Sequence, residues 1–161
     1  DKTLTFKIGN HLTLQPFQCI QWYGRGPWES YWDRKTSAMV GLYEGTIADQ
    51  YYPYVRPQEN GNKSDVRWAR LSKKGVSLTI YSIDTLLNVN ALPYSPAQLF
   101  PGVEKGQTHA GELTPSPYTH LDIDLQQLGL GGDNSWGNLP MQQYLLYLYQ
   151  PYSYSYRIEV H

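Results

Sequence analysis

Apolar and polar residues alternate with a period of two along much of this chain, which is the pattern of half-buried β-strands. Residues 76–81 and 120–125 each carry aliphatic side chains at every second position. The longest alternation is at residues 152–160, with Tyr, Ile and Val at the even positions. Further candidate strands lie at residues 17–23, 38–43, 66–71, 86–92 and 144–149. The pattern predicts about eight strands and almost no helix.

Turn residues separate these segments, since the chain contains 14 Gly and 11 Pro. Short strands with turn signals between them are typical of an antiparallel sandwich. One short helix is predicted at residues 95–99, where Ser95 can cap it and Pro96 suits its first position. We therefore expect an all-β fold, an antiparallel β-sandwich forming a single domain over residues 1–161, with a frayed or truncated start at residues 1–15.

The charge balance and the single cysteine narrow the function classes. With 13 basic and 14 acidic residues, the chain lacks the excess of positive charge that is typical of proteins that bind nucleic acid or an anionic membrane. No apolar stretch is long enough to span a bilayer. We therefore predict a soluble protein with neither nucleic acid nor membrane as partner, and the sequence leaves cytoplasm or periplasm open. Cys19 lies in an apolar strand pattern and is expected to be buried and inert.

The loop at residues 131–136 is the strongest candidate for a binding element. It reads Gly-Gly-Asp-Asn-Ser-Trp between two alternating runs, in a chain with 15 Tyr and 5 Trp but only 3 Phe. The glycines allow backbone conformations closed to other residues, and Asp, Asn and Ser can bond to nearby amides. A ring on such a loop suits a sugar, although on physics alone Trp136 capping the core is an equal alternative.

Two further segments concentrate aromatic, charged and turn residues, at 22–34 and 53–61. Together with residues 33–35, His109, Glu112, Leu113 and the 131–136 loop, they occur in the order and spacing of a known family. Over roughly residues 17–160 the sequence resembles the C-terminal domain of the large β-galactosidases of glycoside hydrolase family 2. It departs from that pattern at Trp28 and Trp32, where a polar residue and a proline are more usual, and at Ser30, where asparagine is common.

The resemblance implies the closing part of a large antiparallel super-sandwich similar to the galactose mutarotases, with its earlier strands missing here. Family members are retaining glycosidases that hydrolyse terminal β-D-galactosides, and their two catalytic glutamates lie in a TIM-barrel domain. The resemblance therefore implies that this chain holds no catalytic residue and is inactive alone. Its expected partners are the remaining domains or large subunit and the β-galactoside, with no cofactor or metal here and Mg²⁺ and Na⁺ in the catalytic domain.

The resemblance also assigns a role to particular residues of this chain. Trp136 is expected to reach the rim of the active site and stack on the sugar. The residues expected to support it are Asp133, Asn134 and Ser135 in its own loop and Gln58, Glu59 and Asn60 at the same mouth.

Other chemistry has weaker support in the sequence. Asp122 and Asp124 share one strand face, which we expect to be solvated rather than a catalytic pair. A free-standing carbohydrate-binding module is one alternative, because Trp136 and exposed tyrosines would suffice for it. A mutarotase-like enzyme is another, with His109, Glu112 and His120 as its candidate acid and base. The histidines have no zinc-ligand spacing.

Overall fold

A computed structural model describes residues 3–100, 109–132, 134 and 136–161. The described strands are β1 (Lys7–Leu14), β2 (Cys19–Gly26), β3 (Met39–Thr46), β4 (Lys63–Val66), β5 (Trp68–Lys73), β6 (Val76–Ser82), β7 (Leu87–Leu92), β8 (Thr119–Gln127) and β9 (Tyr156–Val160). The helical elements in the described residues are α1 (Pro96–Leu99) and the 3₁₀ turns Ala48–Gln50, Ala110–Glu112 and Gln142–Tyr144.

The strands form two antiparallel sheets, which confirms the prediction of an all-β sandwich. One sheet has the order β1-β8-β7-β4 and the other has the order β3-β2-β5-β6-β9. The core between them contains Trp22, Leu71 and Ile80 from the five-stranded sheet and Leu121 and Ile123 from the four-stranded sheet. Each such side chain stabilises the fold by roughly 1.5–3 kcal/mol relative to an exposed one.

The short helix α1 forms where the capping signals predict it. The Ser95 hydroxyl accepts a hydrogen bond from the Gln98 N–H at 3.2 Å, and the Gln98 side chain accepts one from the Ser95 N–H at 2.9 Å. Pro96 occupies the first turn, where its missing N–H leaves no bond unmade. The helix thus begins at a reciprocal capping box.

Both ends of the predicted strand pattern need correction. Residues 7–14 are not frayed, because β1 pairs along its whole length with β8. Residues 144–149 are not a strand: the described backbone there follows a 3₁₀ turn and makes only an isolated bridge between Leu4 and Tyr147. At the C-terminus only Tyr156–Val160 pairs, with β6. Alternation predicts a strand only where a neighbouring strand is available to accept its hydrogen bonds.

The segment 66–71 is two strands in different sheets rather than one. Val66 ends β4, and Trp68 begins β5 in the opposite sheet. Between them the Arg67 N–H donates to the Tyr23 carbonyl at 2.8 Å and the Arg67 carbonyl accepts from the Ser82 N–H at 2.9 Å. The chain therefore crosses between the sheets while its backbone groups stay paired.

Cys19 is exposed, so the prediction that it is buried is wrong. It pairs with Thr46 and Ser72 on the outer face of the five-stranded sheet, while the next residue, Ile20, points into the core. Successive side chains of a strand point to opposite faces of the sheet, so Cys19 and Ile20 differ in burial. Across the described residues, no helix has the length and apolar character needed to cross a membrane.

Candidate functional site

Trp136 projects from its loop into solvent, with 90% of its surface exposed. The loop backbone has positive φ at Gly131 (+70°), Gly132 (+97°) and Gly137 (+79°). Residues other than glycine rarely adopt this backbone conformation. Asn134 Oδ1 accepts the Trp136 N–H at 2.8 Å. The core-capping alternative for Trp136 is therefore wrong. The predicted support from Asp133 and Ser135 concerns residues outside those described.

The base of this loop is tied to the segment that follows β2. Asp33 Oδ2 accepts the Gly131 N–H at 2.9 Å. The Gly129 N–H donates to the Tyr144 carbonyl at 2.9 Å, and the Trp32 ring meets the Tyr144 ring edge-on at 5.4 Å. The sequence resemblance marked Asp33 as part of a motif, but it gave no reason to connect it with Gly131.

Glu29 joins the two aromatic and charged loops that the sequence analysis singled out. Its carboxylate accepts hydrogen bonds from the Tyr54 hydroxyl, from Arg34 Nη2 at 2.6 Å and from the Gly61 N–H at 2.7 Å. Burial opposes the charged form of Arg34, but the hydrogen bond and the charge of Glu29, together with Tyr54, outweigh it and raise the pKa of Arg34. Gly61 has φ +81°, which suits the predicted turn.

Gln58 and Glu59 lie at a cavity beside the four-stranded sheet, whereas Asn60 does not line it. Asn60 is buried and its side chain accepts the Tyr52 N–H at 3.2 Å, so it supports the loop internally. Gln58 and Glu59 line a cavity of about 750 Å³, whose far wall includes Gly129 and Leu130 at the base of the Trp136 loop. These residues therefore share a cavity with the base of that loop, although Trp136 itself does not line the cavity.

A cluster of charged groups forms the floor of this cavity, and the sequence analysis missed it. Lys7 Nζ lies 2.8 Å from Asp122, 2.9 Å from Glu59 and 3.8 Å from Asp124. Asp122 and Asp124 are only 8% and 3% exposed, so the predicted solvated face is wrong. On that strand face Lys7 of β1 lies against both aspartates and joins them to Glu59 of the 53–61 loop. No spacing along the sequence signals this, because the partners come from strands brought together by folding.

Burial sets the protonation of the cluster. It raises the pKa of Asp124 to about 7, against the attraction of Lys7. Burial also raises the pKa of Glu59, again against Lys7. Burial opposes the charge of Lys7 as well, but the three carboxylates outweigh it and raise the pKa of Lys7. The ammonium group is therefore held in its charged form between the carboxylates.

The histidines do not form the acid–base site that was the alternative prediction. His109 and Glu112 bond to each other within one 3₁₀ turn. His120 instead stacks on His11, with ring centroids 5.4 Å apart, and His11 Nδ1 lies 2.6 Å from Asp122 Oδ1. Burial and the neighbouring His11 lower the pKa of His120. Among the described residues no group of three or more His, Cys, Asp or Glu is arranged to hold a metal ion.

The fold and this site define a β-sandwich domain that presents an aromatic ring on a glycine-rich loop. The β-galactosidase small chain family matches residues 2–158. The β-galactosidase of Priestia megaterium is 40% identical over 155 residues, which cover 95% of this chain and 14% of that protein. That of Lactobacillus delbrueckii subsp. bulgaricus is 44% identical over 119 residues, or 73% of this chain and 11% of that protein. The chain belongs to the β-galactosidase small-chain family.

Proposed function

We propose that this chain is the non-catalytic small-chain domain of a retaining β-galactosidase, and that it completes the substrate site through Trp136. The full enzyme would hydrolyse terminal β-D-galactosides. The observation that carries the proposal is the exposed indole on a glycine-rich loop, in a chain of the β-galactosidase small-chain family.

The indole would act by orientation rather than by chemistry. The face of a galactose ring carries C–H groups that pack against an aromatic ring, and its hydroxyl groups stay free for polar partners. Such a contact holds the glycosidic bond in register with catalytic groups supplied from elsewhere. Asn134, Gln58, Glu59 and Asn60 would support the mouth, together with Asp133 and Ser135.

The charged cluster supports the proposal that the two catalytic carboxyl groups lie outside this chain. Retaining hydrolysis needs two carboxyl groups about 5 Å apart, one as a free nucleophile and one as an acid. Here Asp122 and Glu59 both contact the Lys7 ammonium group directly. A carboxylate neutralised in this way is a poor nucleophile, so we assign the catalytic glutamates, with Mg²⁺ and Na⁺, to the remaining domains.

A second part of the proposal is that the domain stabilises the enzyme assembly. The first two relatives are far longer, since the matched residues cover 14% and 11% of their lengths. The edge strand β3 exposes Met39, Val40 and Leu42. Exposed apolar side chains on an edge strand are typical of a contact surface. We assign this surface to the remaining domains or large subunit, as part of a larger mutarotase-like sandwich.

The test is to assay this chain alone and together with the remaining domains of the enzyme. The proposal predicts no hydrolysis of p-nitrophenyl-β-galactoside by the chain alone, no calorimetric binding of galactose, and activity once the remaining domains are added. Sub-millimolar galactose binding by the chain alone would instead identify a carbohydrate-binding module. Hydrolysis by the chain alone would contradict the assignment of the catalytic groups.

A further inference from the structure

Within the described residues, the loop that carries Trp136 has one charged anchor outside its own residues, the carboxylate of Asp33. The Gly131 N–H donates to Asp33 Oδ2 at 2.9 Å, across 98 residues of sequence. A hydrogen bond from an amide to a carboxylate is roughly twice as strong as one between neutral groups. It fixes the backbone at the first glycine of the loop, five residues before the indole.

Asp33 is itself held in place on both sides. Tyr31 and Arg34 exchange two backbone hydrogen bonds, of 3.1 and 2.8 Å, so Asp33 sits at the tip of a closed turn. The neighbouring Trp32 packs edge-on against Tyr144. The carboxylate therefore belongs to a rigid frame, and movement of this frame would move the Gly131 turn with it.

At the base of the loop, Gly129 leaves the space that the Asp33 carboxylate occupies. A Cβ at Gly129 would lie 2.7 Å from Asp33 Oδ2 and 2.7 Å from the Tyr144 Cβ, so only glycine leaves room. Asp33 Oδ1 is buried and, within the described part of the chain, has no hydrogen-bond partner. Burying an unpaired acceptor is unfavourable, and stability alone gives no reason to keep it.

Among the described residues, few other contacts orient the indole of Trp136. At 90% exposure, side-chain packing contributes almost nothing to the direction of Trp136. Its direction depends on the loop backbone, which Asn134 fixes locally and Asp33 fixes from outside. We propose that Asp33 is a positioning residue for Trp136, holding the Gly131 turn so that the indole faces the sugar. This inference rests on the proposed role of Trp136 in substrate binding.

The test combines two readouts on the full β-galactosidase. Hydrogen exchange with mass spectrometry follows the backbone amides of residues 129–132. Steady-state kinetics gives kcat and KM for Asp33→Ala, Trp136→Ala and the double variant. Asp33→Asn keeps an acceptor at the same place, and Asp49→Ala removes an exposed aspartate whose side-chain bond is local to its own turn. Asp33→Ser, too short to reach Gly131, repeats the cycle if Asp33→Ala does not assemble.

We expect Asp33→Ala to speed exchange at residue 131 by about tenfold or more, while Asp33→Asn and Asp49→Ala stay near wild type. The loss of kcat/KM in Asp33→Ala should match the loss in Trp136→Ala, and the double variant should show no further loss. Unchanged exchange at residue 131 in Asp33→Ala, or single losses that multiply in the double variant, would overturn the inference. If Trp136→Ala is fully active, the proposed function fails, and the exchange result alone decides whether Asp33 holds the loop.

Discussion

At the scale of single residues, Asp124 illustrates how burial changes the chemistry of a carboxyl group. It lies on β8, where Gln127 Nε2 donates to it at 2.9 Å and Lys7 is 3.8 Å away. Burial raises its pKa to about 7, well above its ordinary value. The folded protein therefore binds a proton at Asp124 under conditions in which the unfolded chain has lost it.

Because of this pKa shift, we predict that Asp124→Asn stabilises the protein relative to wild type by an amount that depends on pH. Between about pH 4 and pH 7 the folded state holds more protons at this position than the unfolded state, so the contribution of Asp124 to stability falls as pH rises. The variant cannot titrate at this position and therefore lacks this loss. Its free energy of unfolding relative to wild type should therefore increase from pH 5 to pH 8, as measured by urea unfolding. A difference that stays constant with pH would contradict the account.

Trp136 and the buried aspartates Asp122 and Asp124 show what a sequence can and cannot predict about single side chains. The hydrogen bond from the Trp136 N–H to Asn134 follows from local turn chemistry, whereas that chemistry left the exposure of Trp136 as one of two equal alternatives. The burial of Asp122 and Asp124 depends on Lys7 and on the 53–61 loop, which approach only after folding. Local pattern therefore predicted the presenting loop and missed the charged cluster.

At the scale of elements, Glu29 connects the loop after β2 to the loop before β4. Three groups donate to its carboxylate: the Tyr54 hydroxyl, the Arg34 guanidinium group and the Gly61 N–H. Glu29 is part-buried, and removing this acceptor takes away the shared partner of the Tyr54 hydroxyl and the Gly61 N–H. Glu29 therefore couples the order of one loop to the order of the other.

We predict that Glu29→Ala lowers the free energy of unfolding by about 1.5–3 kcal/mol, the range for a hydrogen bond to a charged group. It should also make the 53–61 loop more sensitive to limited proteolysis, because Tyr54 and Gly61 lose their shared acceptor. Urea unfolding and a proteolysis time course measure the two effects. Glu44→Ala on β3 is the matched control, since Glu44 is exposed. Equal stability and cleavage in both variants would show that Glu29 does not couple the loops.

The sequence predicted elements well where hydrophobic alternation and neighbouring strands coincide. Strands β6, β7 and β8 and the capped helix α1 lie where the pattern placed them. The sequence-based prediction was wrong where strand pairing decides whether a segment forms a strand. Strand β1 is ordered by β8, whereas residues 144–149 alternate without a continuous partner strand. The split at Arg67 depends on a change of sheet, which no local pattern records.

At the scale of the whole molecule, the sandwich brings distant segments to one region. Asp33 ties the loop after β2 to the residues after β8, and Glu29 ties that same loop to the 53–61 loop. The cavity of about 750 Å³ extends between the 58–59 segment and the base of the Trp136 loop. A rigid support beneath an exposed indole suits a domain that contributes one contact to a site completed by other domains.

The most direct test of the central claim is the kinetics of Trp136→Ala in the full β-galactosidase, with Trp28→Ala as control. Trp28 is also exposed, at 61%, but lies on a different loop. We predict that Trp136→Ala lowers kcat/KM for lactose by about tenfold or more, the scale of losing an aromatic contact at a binding site. Its melting temperature should stay unchanged, and Trp28→Ala should remain close to wild type. Wild-type kcat and KM in Trp136→Ala would contradict the claim that this domain completes the substrate site.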